Sequence, residues 1–197
     1  MIISKIEIDS RDQFGLYLNK LGLHGTGVEV GTHRGEFAAK ILEHWTEGNL
    51  YCVDPWENLP EYKEQAKYLW DSVDRNQDFQ HFKELITPYN PRCCGFRMTS
   101  KRAAEQLFED GELDFVYLDG NHEEPFVTED INLWWPKIKS GGLLAGHDIV
   151  CVNEVNHGWS QYIQPAVFKF AESQGLDVYF ISEIVSYMPW SYVIHKP

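Results

Sequence analysis

Residues 114–122 read DFVYLDGNH: a run suited to a buried strand passes without a break into an acid, a glycine, an amide and a histidine. Asp, Gly and Asn are ordinary turn residues, so one such ending is explained by a turn. Parallel sheets also bind ligands at the carboxyl ends of their strands, so recurrence decides between a turn and a site. The pattern recurs. GVEVG (27–31), LYCVD (50–54) and LLAGHD (143–148) are three further apolar runs that end in glycine or acid. Four such endings on one sheet edge form a binding rim.

Helical spacing fills the intervals between these runs. Phe14, Tyr17, Leu18 and Leu21 form a stripe, with Ser10 and Gln13 resembling a capping box ahead of it. Phe37, Ala38, Ile41, Leu42 and Trp45 mark the helix after the first run. A strand near Cys94–Met98 precedes a helix over 100–108. Val127, Ile131, Trp134, Trp135 and Ile138 share one face of a helix that Gly141-Gly142 is expected to stop, its tryptophans read as core packing. Ile163, Val167, Phe170 and Ala171 mark a last helix before two closing strands, 178–181 and 192–195. Residues 55–90 break the rhythm. Tyr62, Ala66, Leu69 and Trp70, then a stretch near Phe79–Leu85, read as a helical insertion able to cover a site. The whole predicts one α/β domain over 1–197: a doubly wound, seven-stranded parallel sheet closed at one edge by an antiparallel C-terminal hairpin.

Composition narrows the function. The 197 residues are 43% hydrophobic with a net charge of −13, which disfavours nucleic acid and acidic membrane surfaces as partners. The longest apolar stretches fall short of the roughly 20 residues a membrane span needs. No signal-peptide core follows Met1, and the four cysteines, Cys52, Cys93, Cys94 and Cys151, form no CxxC pair. Free thiols in a reducing, cytoplasmic setting are the expectation.

GVEVGTHRGEFA (27–38) places Gly31 and Gly35 between a strand and a helix. Glycine allows a sharp turn and close approach of a ligand. Asp54 ends the next strand, 23 residues after Gly31, where an acid can accept hydrogen bonds from ribose hydroxyls. The spacing is ExGxxxG rather than GxGxxG, which disfavours a dinucleotide such as NAD and favours another adenosine-containing cofactor.

In order and spacing, GVEVGTHRGEFAAKIL, LYCVDPW, DFVYLDGNH and DINLWWPKIKSGGLLAGHD resemble the motifs of class I S-adenosylmethionine-dependent methyltransferases. More narrowly they resemble the small-molecule O-methyltransferase group called methyltransferase family 24, from about Gly27 to Gly175. The resemblance implies a Rossmann-like fold and S-adenosylmethionine as cofactor. It implies that Glu29, Gly31, Thr32 and Gly35 hold the methionine end, that Asp54 holds the ribose, and that Thr99 and Ser100 contact adenine. It sets Asp119 beside the reacting centre and Trp56 where it could stack on the nucleoside.

A hydroxyl acceptor must lose its proton, to a general base or with help from a metal. Relatives of the catechol type hold Mg²⁺ with acids after the fourth and fifth strands, which implies Asp119 and Asp148 here. The chain departs from that pattern, with Gly146-His147-Asp148 standing where a paired acid or acid–amide is expected. His147 and His122 are the alternative, since histidine titrates near neutral pH, and His147 ranks first because it adjoins an acid. His33 reads as a loop residue near the cofactor and His157 as part of a loop over the substrate. The expectation is methyl transfer to a hydroxyl of a small molecule or sugar. A metal-assisted hydrolase at Asp119 and Asp148, or a cofactor-binding subunit without catalysis, stays open.

Overall fold

Strand β5 (Leu113–Leu118) is buried along its length, and its side chains alternate between two cores. Phe115 and Tyr117 point to one face and Val116 to the other, as period-two geometry requires. The computed structural model describes residues 3–59, 74–150, 160–183 and 189–197. Around β5 lie β1 (Ile3–Lys5), β2 (Thr26–Val30), β3 (Asn49–Asp54), β4 (Cys93–Arg97), β6 (Ile138–Val150), β7 (Val178–Ile181) and β8 (Trp190–His195). The sheet runs in the order β1-β7-β8-β6-β5-β2-β3-β4. Every pairing is parallel except those of β8, which runs antiparallel to both β6 and β7.

The seven expected strands are present, joined by an eighth. Ile3–Lys5 pairs with Val178–Phe180, so the β7–β8 hairpin is not the outermost edge. Helices α1 (Phe14–Lys20), α2 (Glu36–His44) and α3 (Arg75–Ile86) cover one face. There Phe14 packs edge-on against Phe115 and Tyr117, and Trp45 against Phe115. Helices α4 (Ser100–Gln106), α5 (Phe126–Trp134) and α6 (Ser160–Gln174) cover the other. Each fully buried large apolar side chain contributes about 1.5–3 kcal/mol to this packing.

Two local expectations change. Helix α5 ends at Trp134 rather than at Gly141, and Ile138 already belongs to β6. Pro136 is the cause: it has no N–H to continue the helix, and residues 135–137 form a single 3-10 turn. The glycines at 141 and 142 instead sit where β5 and β6 shift register between Leu113 and Phe115. The capping box is displaced by one residue: Ser10 accepts from the Asp12 N–H while Gln13 accepts from the Asp9 N–H.

Helix α3 supplies the second half of the expected insertion, started by Asp74, which accepts from the Asn76 and Gln77 N–H groups. Tyr62, Ala66, Leu69, Trp70, Cys151 and His157 lie outside the described residues. Cys93 and Cys94 face opposite sides of β4, one buried and one exposed, and Cys52 and Cys93 are buried thiols with sulfurs 3.7 Å apart. Among the described residues no helix is long and apolar enough to cross a membrane.

Candidate functional site

The carboxyl ends of β3, β2, β5 and β6 lie side by side in the sheet, so the four polar endings of the sequence meet along one edge. They border a cavity of about 600 Å³ lined by Gly31, Asp54, Thr99, Ser100, Asp119, His122, His147 and Asp148, among others. Of the site residues expected from the sequence, these eight are brought to one space. His33 joins them, as its placement near the glycine loop suggests.

Gly31 makes the close fit of the edge achievable. Its φ is +87°, and a Cβ there would stand 2.0 Å from the Asp119 carbonyl oxygen. The Gly31 N–H donates to the Val53 carbonyl at 2.8 Å and the Asp119 N–H donates to the Val30 carbonyl at 2.8 Å, so three strand ends are tied together at the glycine. Gly35 has a different task. It caps α2 at φ +86°, and a Cβ would meet the Phe82 ring at 2.8 Å. It is thus a packing point for α3 and does not line the cavity. Glu29 and Thr32 also lie behind the cavity wall, both buried. Burial pushes the Glu29 carboxyl up to about 8, and its Oε2 has no hydrogen-bond partner among the described residues.

Asp54 is held by backbone. Its Oδ2 accepts from the His33 N–H at 2.8 Å and its Oδ1 from the Trp56 N–H at 2.7 Å. Burial raises its carboxyl above the usual range, and the two N–H groups partly offset that. Trp56 itself corrects an expectation. It is fully buried, stacks obliquely on Phe79 and Phe82, and donates its indole N–H to the His33 carbonyl at 2.6 Å. It braces the glycine loop from behind and presents no face to a nucleoside.

The β5–β6 end is built from charge. The His122 Nε2 lies 3.3 Å from Asp119 Oδ1 and 3.4 Å from Asp148 Oδ2, bridging the two carboxylates. The His147 Nδ1 is 3.1 Å from Asp148 Oδ2 and 4.0 Å from Asp119 Oδ1. Arg11 reaches Asp119 Oδ2 at 3.2 Å and lies over the Phe37 ring. Burial alone would raise the Asp119 carboxyl, but His147, His122 and Arg11 hold it well below the usual carboxylate range. Burial lowers the His122 imidazole, and its bond to Asp119 and the charge of Asp148 more than reverse that. Asp148 adopts φ +58°, a conformation uncommon for aspartate that turns its carboxylate back toward His122. Asp119, His122 and Asp148 each offer a ligand atom, all within 4.8 Å of one another.

Among the cavity-related residues that escaped the sequence reading, two make direct contacts with expected site residues. Asp130 lines the cavity from α5, and Arg11 sits against Asp119 from the N-terminal segment. The sign of Asp130 was available: an acid standing three residues after Val127 and one before Ile131, inside an otherwise apolar helical stripe. Arg11 carries no comparable sign, since its position depends on how the segment before α1 folds back over β5.

The residues fit S-adenosylmethionine. Asp54 takes one backbone N–H on each carboxylate oxygen and keeps further acceptor capacity toward the cavity, a glycine cradle closes on the neighbouring strand end, and a buried orphan carboxyl oxygen stands at Glu29. The mixed N/O donor set of Asp119, His122 and Asp148 fits a divalent cation.

Comparison with known proteins agrees with this geometry. A family model described as a methyltransferase domain matches residues 28–149. An uncharacterized protein y4gI of Sinorhizobium fredii is 26% identical over 164 residues, covering 78% of this chain, which in turn spans only 17% of that relative's length. Among solved structures, a putative caffeoyl-CoA O-methyltransferase from Staphylococcus aureus superposes with a TM-score of 0.67 at 10% identity, over 96% of this chain and 84% of that one. The O-methyltransferase from Bacillus cereus in complex with S-adenosylhomocysteine gives 0.64 at 13% identity, over 94% and 80%. The 1,6-didemethyltoxoflavin-N1-methyltransferase from Burkholderia thailandensis gives 0.59 at 11%, over 95% and 79%. With well over half of its length matched by the family model, the chain belongs to the methyltransferase domain family of class I S-adenosylmethionine-dependent enzymes.

Proposed function

We propose that this chain transfers a methyl group from S-adenosylmethionine to a hydroxyl of a small molecule or sugar. The observation that carries the reading is the convergence of Asp54, Gly31 and the Asp119–His122–Asp148 cluster on one cavity. The cofactor would supply a methyl carbon made electrophilic by its sulfonium. The protein's part is then alignment and proton removal. Asp54, braced by two backbone N–H groups, accepts from the ribose hydroxyls. The backbone at Gly31 lets the methionine portion lie against the end of β2, and the Oε2 of Glu29, without a partner among the described residues and just behind the wall there, is the acceptor its ammonium group would reach once the wall gives way to it.

At the other end, Asp148 fixes the Nδ1 side of His147 and leaves Nε2 as the proton acceptor for the substrate hydroxyl. A divalent cation would stabilise the resulting oxyanion, and Asp119, His122 and Asp148 are the residues that would hold it. The toxoflavin enzyme methylates nitrogen on a similar fold, so the choice of oxygen rests on this cluster and on the O-methyltransferase neighbours.

Calorimetric titration with S-adenosylhomocysteine, alone and with Mg²⁺ or Mn²⁺, tests the reading. Binding at micromolar affinity or better, about −8 kcal/mol, is expected. A chain that binds a divalent metal but no adenosine compound would instead be read as a metal-assisted hydrolase. If the cofactor binds but His147→Ala and Asp119→Ala leave the biological activity intact, the chain is a binding subunit.

A further inference from the structure

We infer that Asp130 is the acceptor for the exocyclic amino group of the cofactor's adenine, so that it selects adenosyl over other purine nucleosyl ligands. This rests on the cofactor reading above and adds a residue from a separate helix. The strand order fixes where the base must go. With the ribose at Asp54 on β3 and the methionine at Gly31 on β2, the reacting end points toward β5 and β6. The base is left for the β4 side, where Thr99 and Ser100 line the cavity.

Asp130 reaches that same space from α5. It is nine-tenths buried, yet it is part of the cavity lining. Its Oδ1 is committed, accepting from the Ser100 hydroxyl at 2.5 Å. The Ser100 hydroxyl is itself oriented, because its oxygen accepts from the Trp134 indole N–H at 2.8 Å. Indole N–H can only donate, so the serine proton has to point to Asp130. The second oxygen, Oδ2, has no hydrogen bond among the described residues and faces the end of β5, where a Cβ on Gly120 would stand 3.7 Å from it. A buried carboxylate fixed through one oxygen and open through the other is an acceptor for one N–H donor at the cavity wall. Adenine offers that donor as its amino group. Hypoxanthine presents a carbonyl oxygen there, and two acceptors face to face repel.

The same relay gives a test with a change of sign. In Asp130→Asn the amide oxygen stays on the Ser100 hydroxyl, so the amide NH₂ turns to the cavity and donates to a carbonyl. Full-length wild type and variant are titrated with S-adenosylhomocysteine and with S-inosylhomocysteine. Wild type is expected to prefer the adenosyl compound by at least about tenfold. Asp130→Asn is expected to lose that preference or invert it, while keeping its melting temperature within a few degrees of wild type because the Ser100 bond survives. Equal binding of both compounds by wild type overturns the inference without any variant. Equal weakening of both compounds in Asp130→Asn also overturns it and reduces Asp130 to a brace for α4. Wild type that binds neither compound overturns the cofactor reading itself and this inference with it.

Discussion

Asp54 and Asp119 end two strands of one sheet edge, border one cavity, and are tuned in opposite directions. Asp54 accepts from two neutral donors, the His33 and Trp56 N–H groups, and burial raises its carboxyl by more than those bonds and the nearby charge of Arg75 lower it. Asp119 is half-buried, and it faces His147, His122 and Arg11, which hold it well below the ordinary range. The strand-end position is the same in kind; the partners differ. One end of the cavity is arranged to accept hydrogen bonds from a polar, uncharged ligand part. The other is arranged to handle charge, whether a cation or the proton of a hydroxyl.

The largest test of that difference is Asp119→Asn. Removing one anionic ligand from the Asp119–His122–Asp148 set should weaken Mn²⁺ binding by more than about 100-fold, beyond the 10–100-fold typical of the outer shell. S-adenosylhomocysteine affinity, read by the same calorimetry, should change far less. Equal loss of cation and cofactor would mean that the two ends act as one unit. Gly31→Ala comes next. A Cβ at φ +87° and 2.0 Å from the Asp119 carbonyl must push β2 and β5 apart. Urea denaturation should report a loss of about 2–4 kcal/mol, from the left-handed conformation and overpacking together.

Asp54→Asn sharpens the comparison from the other end. The amide keeps one acceptor oxygen, so one of the two N–H groups now meets a donor. Cofactor affinity should fall by about tenfold, the scale of one lost hydrogen bond to a charged group. Mn²⁺ binding should be unaffected, and a parallel loss of Mn²⁺ binding would contradict the separation of the two ends.

What could be read from the sequence follows the same division. The strand ends were legible because each carries its chemistry within a few residues of an apolar run, as in Leu118-Asp119-Gly120. The parallel order then brings them together without further information. Trp56 was less legible: its placement beside Asp54 is local, but its burial depends on Phe79 and Phe82, contributed by α3. Arg11 was not legible at all, since more than a hundred residues separate it from Asp119 and only tertiary folding brings them into contact. The edge strand Ile3–Lys5 was missed because three residues carry too little periodicity to read. Its identity as a strand comes from the neighbour it pairs with.

Glu29 lies behind both ends and yields the smallest effect, one that is specific in sign. Its carboxyl is raised from 4.5 to about 8 by burial, with no partner on Oε2 among the described residues. The folded chain therefore keeps a proton that the unfolded chain has released, and stability is full below pH 4.5 and falls as pH rises through about 8. Glu29→Gln removes that proton exchange. Between pH 5 and 8 the melting temperature of wild type should fall further than that of Glu29→Gln, by several degrees. S-adenosylhomocysteine should narrow the difference at pH 8, because an ammonium beside Oε2 compensates the charge that burial opposes. Parallel melting curves for the two proteins would show that Glu29 is already paired, and the methionine end would then need another acceptor.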